Sequence, residues 1–186
     1  MIEEYKVLLK SRLSDYRYNH SLCVAKSAVE LAQKYGADPA KALVAGLLHD
    51  VTKEADKAEH FALFEESGMA LTELERRNPK LWHAMSGAAY MRVKLNIDDE
   101  EILSAVRYHT TARAGMTLLE KIIYIADFIS ADRVYDDVDI VRELAKKSLE
   151  ETMKYTQSYS INELLKKQSP IHPDSVACYN SIVGGF

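Results

Sequence analysis

Asp38-Pro39-Ala40-Lys41-Ala42-Leu43-Val44-Ala45-Gly46-Leu47-Leu48-His49-Asp50 decides how the rest of the chain is read. Aspartate followed by proline signals a helix start: the carboxylate caps free N–H groups, and proline suits the first turn, where its missing donor is not needed. The apolar run that follows reads as core, and it closes on an imidazole beside a carboxylate. An unpaired ionised carboxylate in apolar surroundings is costly, so the pair calls for neutralisation, an ion pair or a metal.

Similar settings recur at His20, His83, His109 and Asp127. Asp127 interrupts Ile122-Ile123-Tyr124-Ile125-Ala126 and Phe128-Ile129, with no basic residue within three positions to neutralise it. Histidines and aspartates without thiolates form a nitrogen and oxygen donor set, which suits Fe, Mn, Co, Zn or Ni and disfavours a cysteine-rich structural zinc site. Six candidates exceed what one ion takes from protein while keeping positions open for water and substrate. Two ions sharing a bridging aspartate would use them all. His60 and His172 lack apolar flanks and read as surface residues.

At 186 residues, with 47% hydrophobic and 28% charged side chains, the chain has the composition of an ordinary globular protein and about one domain's length. We therefore expect a single domain over residues 1–186. A net charge of -4 argues against broad nucleic-acid or anionic-membrane binding, while a small anionic ligand held by local cations stays open. There is no apolar stretch of about eighteen residues. Met1-Ile2-Glu3-Glu4-Tyr5-Lys6 carries no signal-peptide pattern, so a cytoplasmic protein is the expectation. Cys23 and Cys178 are too few and too far apart for a disulfide framework. Cys23 lies one turn after His20 and reads as a small buried hydrophobe.

The rest of the chain gives consecutive helices and no convincing strand alternation. Helices are expected over about 2–13, 16–35, 39–50, 55–66, a short piece after Thr72, one opening at Asn78-Pro79, then about 99–109, 118–131, 138–147, 149–167 and 174–183. Asp98 with Glu101, and Thr117 with Glu120, fit the capping-box pattern. The fold class is all-α. The six candidate ligands then come from five different helices, which can meet only inside a helical bundle.

That order of ligands on helices resembles the HD superfamily of metal-dependent phosphohydrolases, in the branch with two extra histidines before the last aspartate. Arg17-Tyr18-Asn19-His20, His49-Asp50-Val51-Thr52-Lys53, Asn78-Pro79-Lys80-Leu81-Trp82-His83, Arg107-Tyr108-His109-Thr110-Thr111-Ala112-Arg113-Ala114-Gly115-Met116 and Glu120 to Asp127 are similar to the bacterial YqeK-type symmetrical dinucleoside tetraphosphatases. The resemblance spans nearly the whole chain. It implies an HD-domain helical bundle in which His20, His49, Asp50 and Asp127 hold one ion and Asp50, His83 and His109 a second, with Asp50 bridging. Iron is the implied metal, and Mn or Co would fit the same ligands. The implied reaction is hydrolysis of diadenosine tetraphosphate and related dinucleotides into two nucleoside diphosphates.

Arg17, three positions before His20 on one helix face, can offer a guanidinium to phosphate. Lys53, Arg113 and Arg133 are the next expected phosphate cations, and Thr110 and Thr111 can donate hydroxyls. Asp50, Arg17, Lys53 and Arg113 are the expected catalytic group, with His83 and His109 also facing substrate. Glycine is expected where this chain has Ala112; a positive φ there would strain alanine by about 1 kcal/mol. A nucleotidase or guanosine polyphosphate hydrolase is the alternative within enzymes, and a non-catalytic nucleotide-binding sensor the alternative outside them. The partner expected is a small nucleotide, with a homodimer left open.

Overall fold

A computed structural model describes residues 1–185. Its eleven helices are α1 (Ile2–Arg12), α2 (Asp15–Tyr35), α3 (Pro39–Leu48), α4 (Lys57–Glu66), α5 (Glu73–Arg77), α6 (Pro79–Leu95), α7 (Glu100–Tyr108), α8 (Leu118–Ile129), α9 (Val138–Ala145), α10 (Leu149–Lys166) and α11 (Pro173–Gly184). No strand occurs among the described residues, and no described helix is long and apolar enough to cross a membrane. The all-α expectation holds, with every expected helix present.

Side-chain caps set most of the starts. Asp38 accepts from the backbone N–H groups of Ala40 and Lys41, with Pro39 in the first turn. Thr117 and Glu120 form a reciprocal capping box on α8, and Thr72 and Glu75 form another on α5. The box expected at Asp98 with Glu101 is absent. Asp99 caps α7 instead, accepting from Glu101 N and Ile102 N at 3.0 and 3.2 Å, because starting one residue later places its carboxylate over both free donors.

The apolar stripe of α8 runs through the centre, where Leu119, Ile122, Ile123, Tyr124, Ile125 and Ala126 are all buried. It packs against α2, α3, α7, α9 and α10. A smaller cluster of Phe64, Leu81, Trp82 and Met85 joins α4 and α6. The pair α2 and α3 lies especially close. A Cβ added to Gly46 would stand 2.9 Å from the Cα of Ala25, so only glycine admits this approach. That contact fixes the spacing of the helices carrying His20 and His49.

The candidate metal centre

α3 ends at Leu48, and tight turns follow, with Val51 N donating to Leu48 O (3.0 Å) and Lys53 N to Asp50 O (2.8 Å). This change of direction puts the adjacent His49 and Asp50 into the same buried space. His49 is fully buried and Asp50 is 2% exposed. His20 comes to them from mid-α2, His83 from one turn into α6, His109 from the end of α7 and Asp127 from α8. The ring centroids of His20 and His49 lie 5.2 Å apart, those of His49 and His109 5.0 Å, and those of His83 and His109 5.1 Å. All six sequence-derived candidates are thus brought together.

Three sets of donor atoms gather within 4.8 Å: His20, His49 and Asp50; His49, His109 and Asp127; and Asp50, His83 and His109. The chemistry of these atoms fits a cation. His49 Nδ1–H donates to Gly46 O at 2.8 Å and His109 Nδ1–H to Val106 O at 2.7 Å. A carbonyl only accepts, so each Nε2 presents its lone pair to the centre. His20 Nε2, His49 Nε2 and Asp50 Oδ1 are buried without a hydrogen-bond partner. Such orphans are expensive unless something fills the gap between them.

Protonation agrees with this. Burial pushes the His49 imidazole down to about 4, against the pull of Asp50. Burial together with the Lys53 charge holds His83 well below its usual value. Burial alone would raise both carboxyls. For Asp50 the histidines around it and Lys53 outweigh burial, and for Asp127 the adjacent His20 and Arg133 do, so both stay ionised. His20 differs, since the Asp127 and Asp132 carboxylates outweigh burial and raise its pKa; neutral His49 and His83 facing ionised carboxylates suit a divalent cation.

Cations surround the cluster. Arg17 Nη1 is 3.6 Å from Asp50 Oδ2, and Lys53 Nζ is 3.5 Å from Asp50 Oδ1 and 2.9 Å from His83 Nε2. Arg133, six residues after Asp127, pairs with its carboxylate and donates from Nε to its carbonyl at 2.8 Å. Neutralisation of Asp127 thus comes from beyond the three-residue window searched in the sequence. A cavity of about 540 Å³ opens over His83, His109, Lys53, Thr110 and Asp127, with Lys80, Pro79, Phe128 and Ser160 on its walls. That volume is in the range of small-molecule sites. The Thr110 hydroxyl is 3.1 Å from His83 Nε2.

Several expectations need correction. Arg113 does not reach this cavity. Its Nε donates to Glu120 at 2.9 Å and its guanidinium lies over Tyr108, because the fully buried capping-box carboxylate of Glu120 demands a cation. Arg113 lines a separate cavity with Met116, Lys121 and Cys178. Thr111 is buried and donates to Ala112 O, while its own carbonyl takes Ser175 Oγ, so it serves the loop. His60 and His172 are buried and not surface residues. His60 Nδ1–H donates to Ser86 Oγ, Ser86 to Thr52, and Thr52 to the His83 carbonyl, which ties the turn after Asp50 to α6. His172 caps α11 through Nδ1. Cys23 is half-buried. Ala112 does take a positive φ of 57° and is fully buried, so the strain anticipated for alanine is present.

Sequence reasoning missed Asp132, which accepts from His20 Nδ1 at 2.7 Å. Its only sequence signal is its place five residues after Asp127, beside Arg133. Also missed was Glu75, which holds two of the histidine-bearing helices together. Its carboxylate takes Arg107 at 2.6 Å, two residues before His109, and its carbonyl takes Trp82 Nε1 at 2.8 Å, next to His83.

Residues 17–132 match the HD domain family, and the chain belongs to it. Within that class, three relatives that align over nearly its whole length share one name. It is 40% identical over 183 residues, 98% of both chains, to the symmetrical bis(5'-nucleosyl)-tetraphosphatase of Bacillus subtilis. It is 35% identical to the protein of the same name from Staphylococcus aureus, over 96% of this chain and 93% of that one. The crystal structure of an HD superfamily hydrolase from Clostridium acetobutylicum, described as involved in NAD metabolism, superposes with a TM-score of 0.96 at 33% identity, covering 100% of this chain and 98% of the other. The all-α bundle is the HD-domain fold, and its histidines and aspartates fit a divalent metal.

Proposed function

We infer that the chain is a symmetrical bis(5'-nucleosyl)-tetraphosphatase, which hydrolyses diadenosine tetraphosphate and related dinucleotides into two nucleoside diphosphates. The observation that carries this reading is the buried six-residue cluster opening into a cation-edged cavity, in a chain whose full-length relatives bear that name. The whole chain works as one domain in the cytoplasm.

His20, His49, Asp50 and Asp127 would hold one ion, and Asp50, His83 and His109 another. Asp50, His49 and His109 each fall in two of the three donor groups, and of these only the Asp50 carboxylate has two oxygens to share, which supports a bridging role. When bound, two divalent ions, with iron expected and Mn or Co compatible, supply an acidified water as nucleophile and neutralise phosphate oxygens. The protein's own contribution is positioning and charge. Arg17 stands beside Asp50 and can swing its guanidinium onto a phosphate, with the planar fork that binds two oxygens at once. Lys53 edges the cavity and adds a second positive charge where negative charge accumulates. Thr110 offers a hydroxyl beside His83, and Arg133 keeps Asp127 ionised. The leaving group is a nucleoside diphosphate, a stable anion that departs without a strong general acid.

Hydrolysis in ¹⁸O-labelled water tests the reading. ADP should be the only nucleotide product from diadenosine tetraphosphate, with a single label on the terminal phosphate of one ADP of each pair. AMP with ATP, or a label on an α-phosphate, would refute symmetrical cleavage.

A further inference from the structure

Three of the four histidines in the cluster are oriented through Nδ1, in two ways. His49 and His109 sit at helix ends and donate Nδ1–H to the carbonyl three residues back. His20 is in mid-helix, where the preceding carbonyls already take backbone N–H groups, so its Nδ1 needs a partner from elsewhere. Asp132 is that partner, at 2.7 Å and across 112 positions of sequence. A carboxylate acceptor at Nδ1 keeps the proton there and turns the Nε2 lone pair toward Asp127, whose Oδ1 is 3.0 Å away.

The loop bearing Asp132 is held from outside. Arg142, on α9, donates from Nε to Ile129 O at 3.1 Å and from Nη2 to Ser130 O and Arg133 O at 3.0 and 3.2 Å. Three carbonyls on both sides of Asp132 are thus pinned by one guanidinium.

We propose that Asp132 is a positioning residue that sets the orientation and tautomer of His20, and that Arg142 holds Asp132 in place. This rests on the metal reading above. Asparagine at 132 can turn its amide N–H₂ toward Nδ1 and favour the proton on Nε2, which removes the donor lone pair.

The test is titration of chelator-treated full-length protein with Mn²⁺ alone, following free Mn²⁺ by electron paramagnetic resonance. Asp132→Asn should bind one of two ions about 10- to 100-fold more weakly, the scale of losing a group that orients a ligand, and keep the other. In a His20→Gln background the same change should have no further effect, since the residue it acts through is gone. Arg142→Leu should weaken the same ion. Thermal melting of each metal-free variant confirms that it is folded. If wild-type protein binds no Mn²⁺, the metal reading itself fails. If wild type binds two ions and Asp132→Asn matches it, or if Asp132→Asn weakens binding equally with and without His20, the positioning role is wrong.

Discussion

The two halves of the cluster are built differently. Around His20 and Asp127 the supports are ionic side chains, with Asp132 on His20, Arg133 on Asp127 and Arg142 clasping their loop. Around His83 and His109 most supports are neutral, the Val106 carbonyl and the Thr52, Ser86 and His60 chain, and a single ion pair, Glu75 with Arg107, ties α7 to α6. The groups in front of this second half, Lys53 and Thr110, line the cavity. One half is therefore braced mainly by charged side chains, and the other mainly by neutral groups with Lys53 and Thr110 in front. Asp50 belongs to both.

Removing Asp50 should erase the distinction. Asp50→Ala is expected to lose activity on the order of a thousand-fold or more, as when a unit of catalytic groups is dismantled, and to lose both ions in elemental analysis. His83→Ala should strip only the cavity-facing ion. Two ions per chain retained in Asp50→Ala would mean that the halves do not share it.

A smaller effect separates ligands from the cations beside them. Arg17→Ala and Lys53→Ala should each keep full metal content while kcat/KM falls by about 10- to 100-fold, the worth of one charge-assisted phosphate contact at about 1.5–3 kcal/mol. Arg17→Lys should recover little if both guanidinium nitrogens are used. Unchanged kinetics in both alanine variants would reduce these residues to bystanders.

The smallest effect reports on the brace behind the cavity. Burial raises the Glu75 carboxyl, but hydrogen bonds from Thr72 and the charges of Arg107 and His172 outweigh it and hold the carboxyl below its ordinary value. A depressed folded pKa contributes stability that is present above the ordinary glutamate range and lost as pH falls through the folded value. Melting temperature should therefore drop on acidification below about pH 4.5, and Glu75→Gln should be less stable at pH 7 and flatter over that window. Identical profiles would show that the Arg107 tie adds nothing.

The ligands were legible because each breaks a pattern: an imidazole or carboxylate where helical periodicity demands an apolar residue. Their supports broke no pattern. Asp132 lies in a polar stretch, where charge is ordinary, with its partner His20 far away in sequence, and Arg142 acts on backbone carbonyls, which leave no trace in sequence. Burial of His60 had a local signal in Phe61-Ala62-Leu63-Phe64 directly after it, whereas His172 caps the start of α11, where nothing local tells what another helix lays over it. Arg113 misled because its neighbour His109 is in the site, while the loop between them carries Ala112 at positive φ and turns the chain away. Helix starts were mostly readable from caps, apart from the choice between Asp98 and Asp99 and a start of α4 at Lys57 and not about 55, while α3 and α8 end two residues short of the expected bounds.

Gly46 limits how the sequence can drift. An added methyl there would meet the backbone of Ala25, its Cα at 2.9 Å and its nitrogen at 3.2 Å, as well as the Cβ of Ala28 at 3.2 Å. Trimming Ala28 would clear only the last of these contacts. No side-chain change on α2 can make room against a backbone, so a Gly46→Ala defect should have no intragenic suppressor at the facing positions. Relief would require α2 to shift bodily, and α2 carries His20. Position 46 is therefore coupled to the metal centre twice, through the His49 Nδ1–H that its carbonyl accepts and through the placement of α2, and a screen for second-site revertants should return true reversion to glycine.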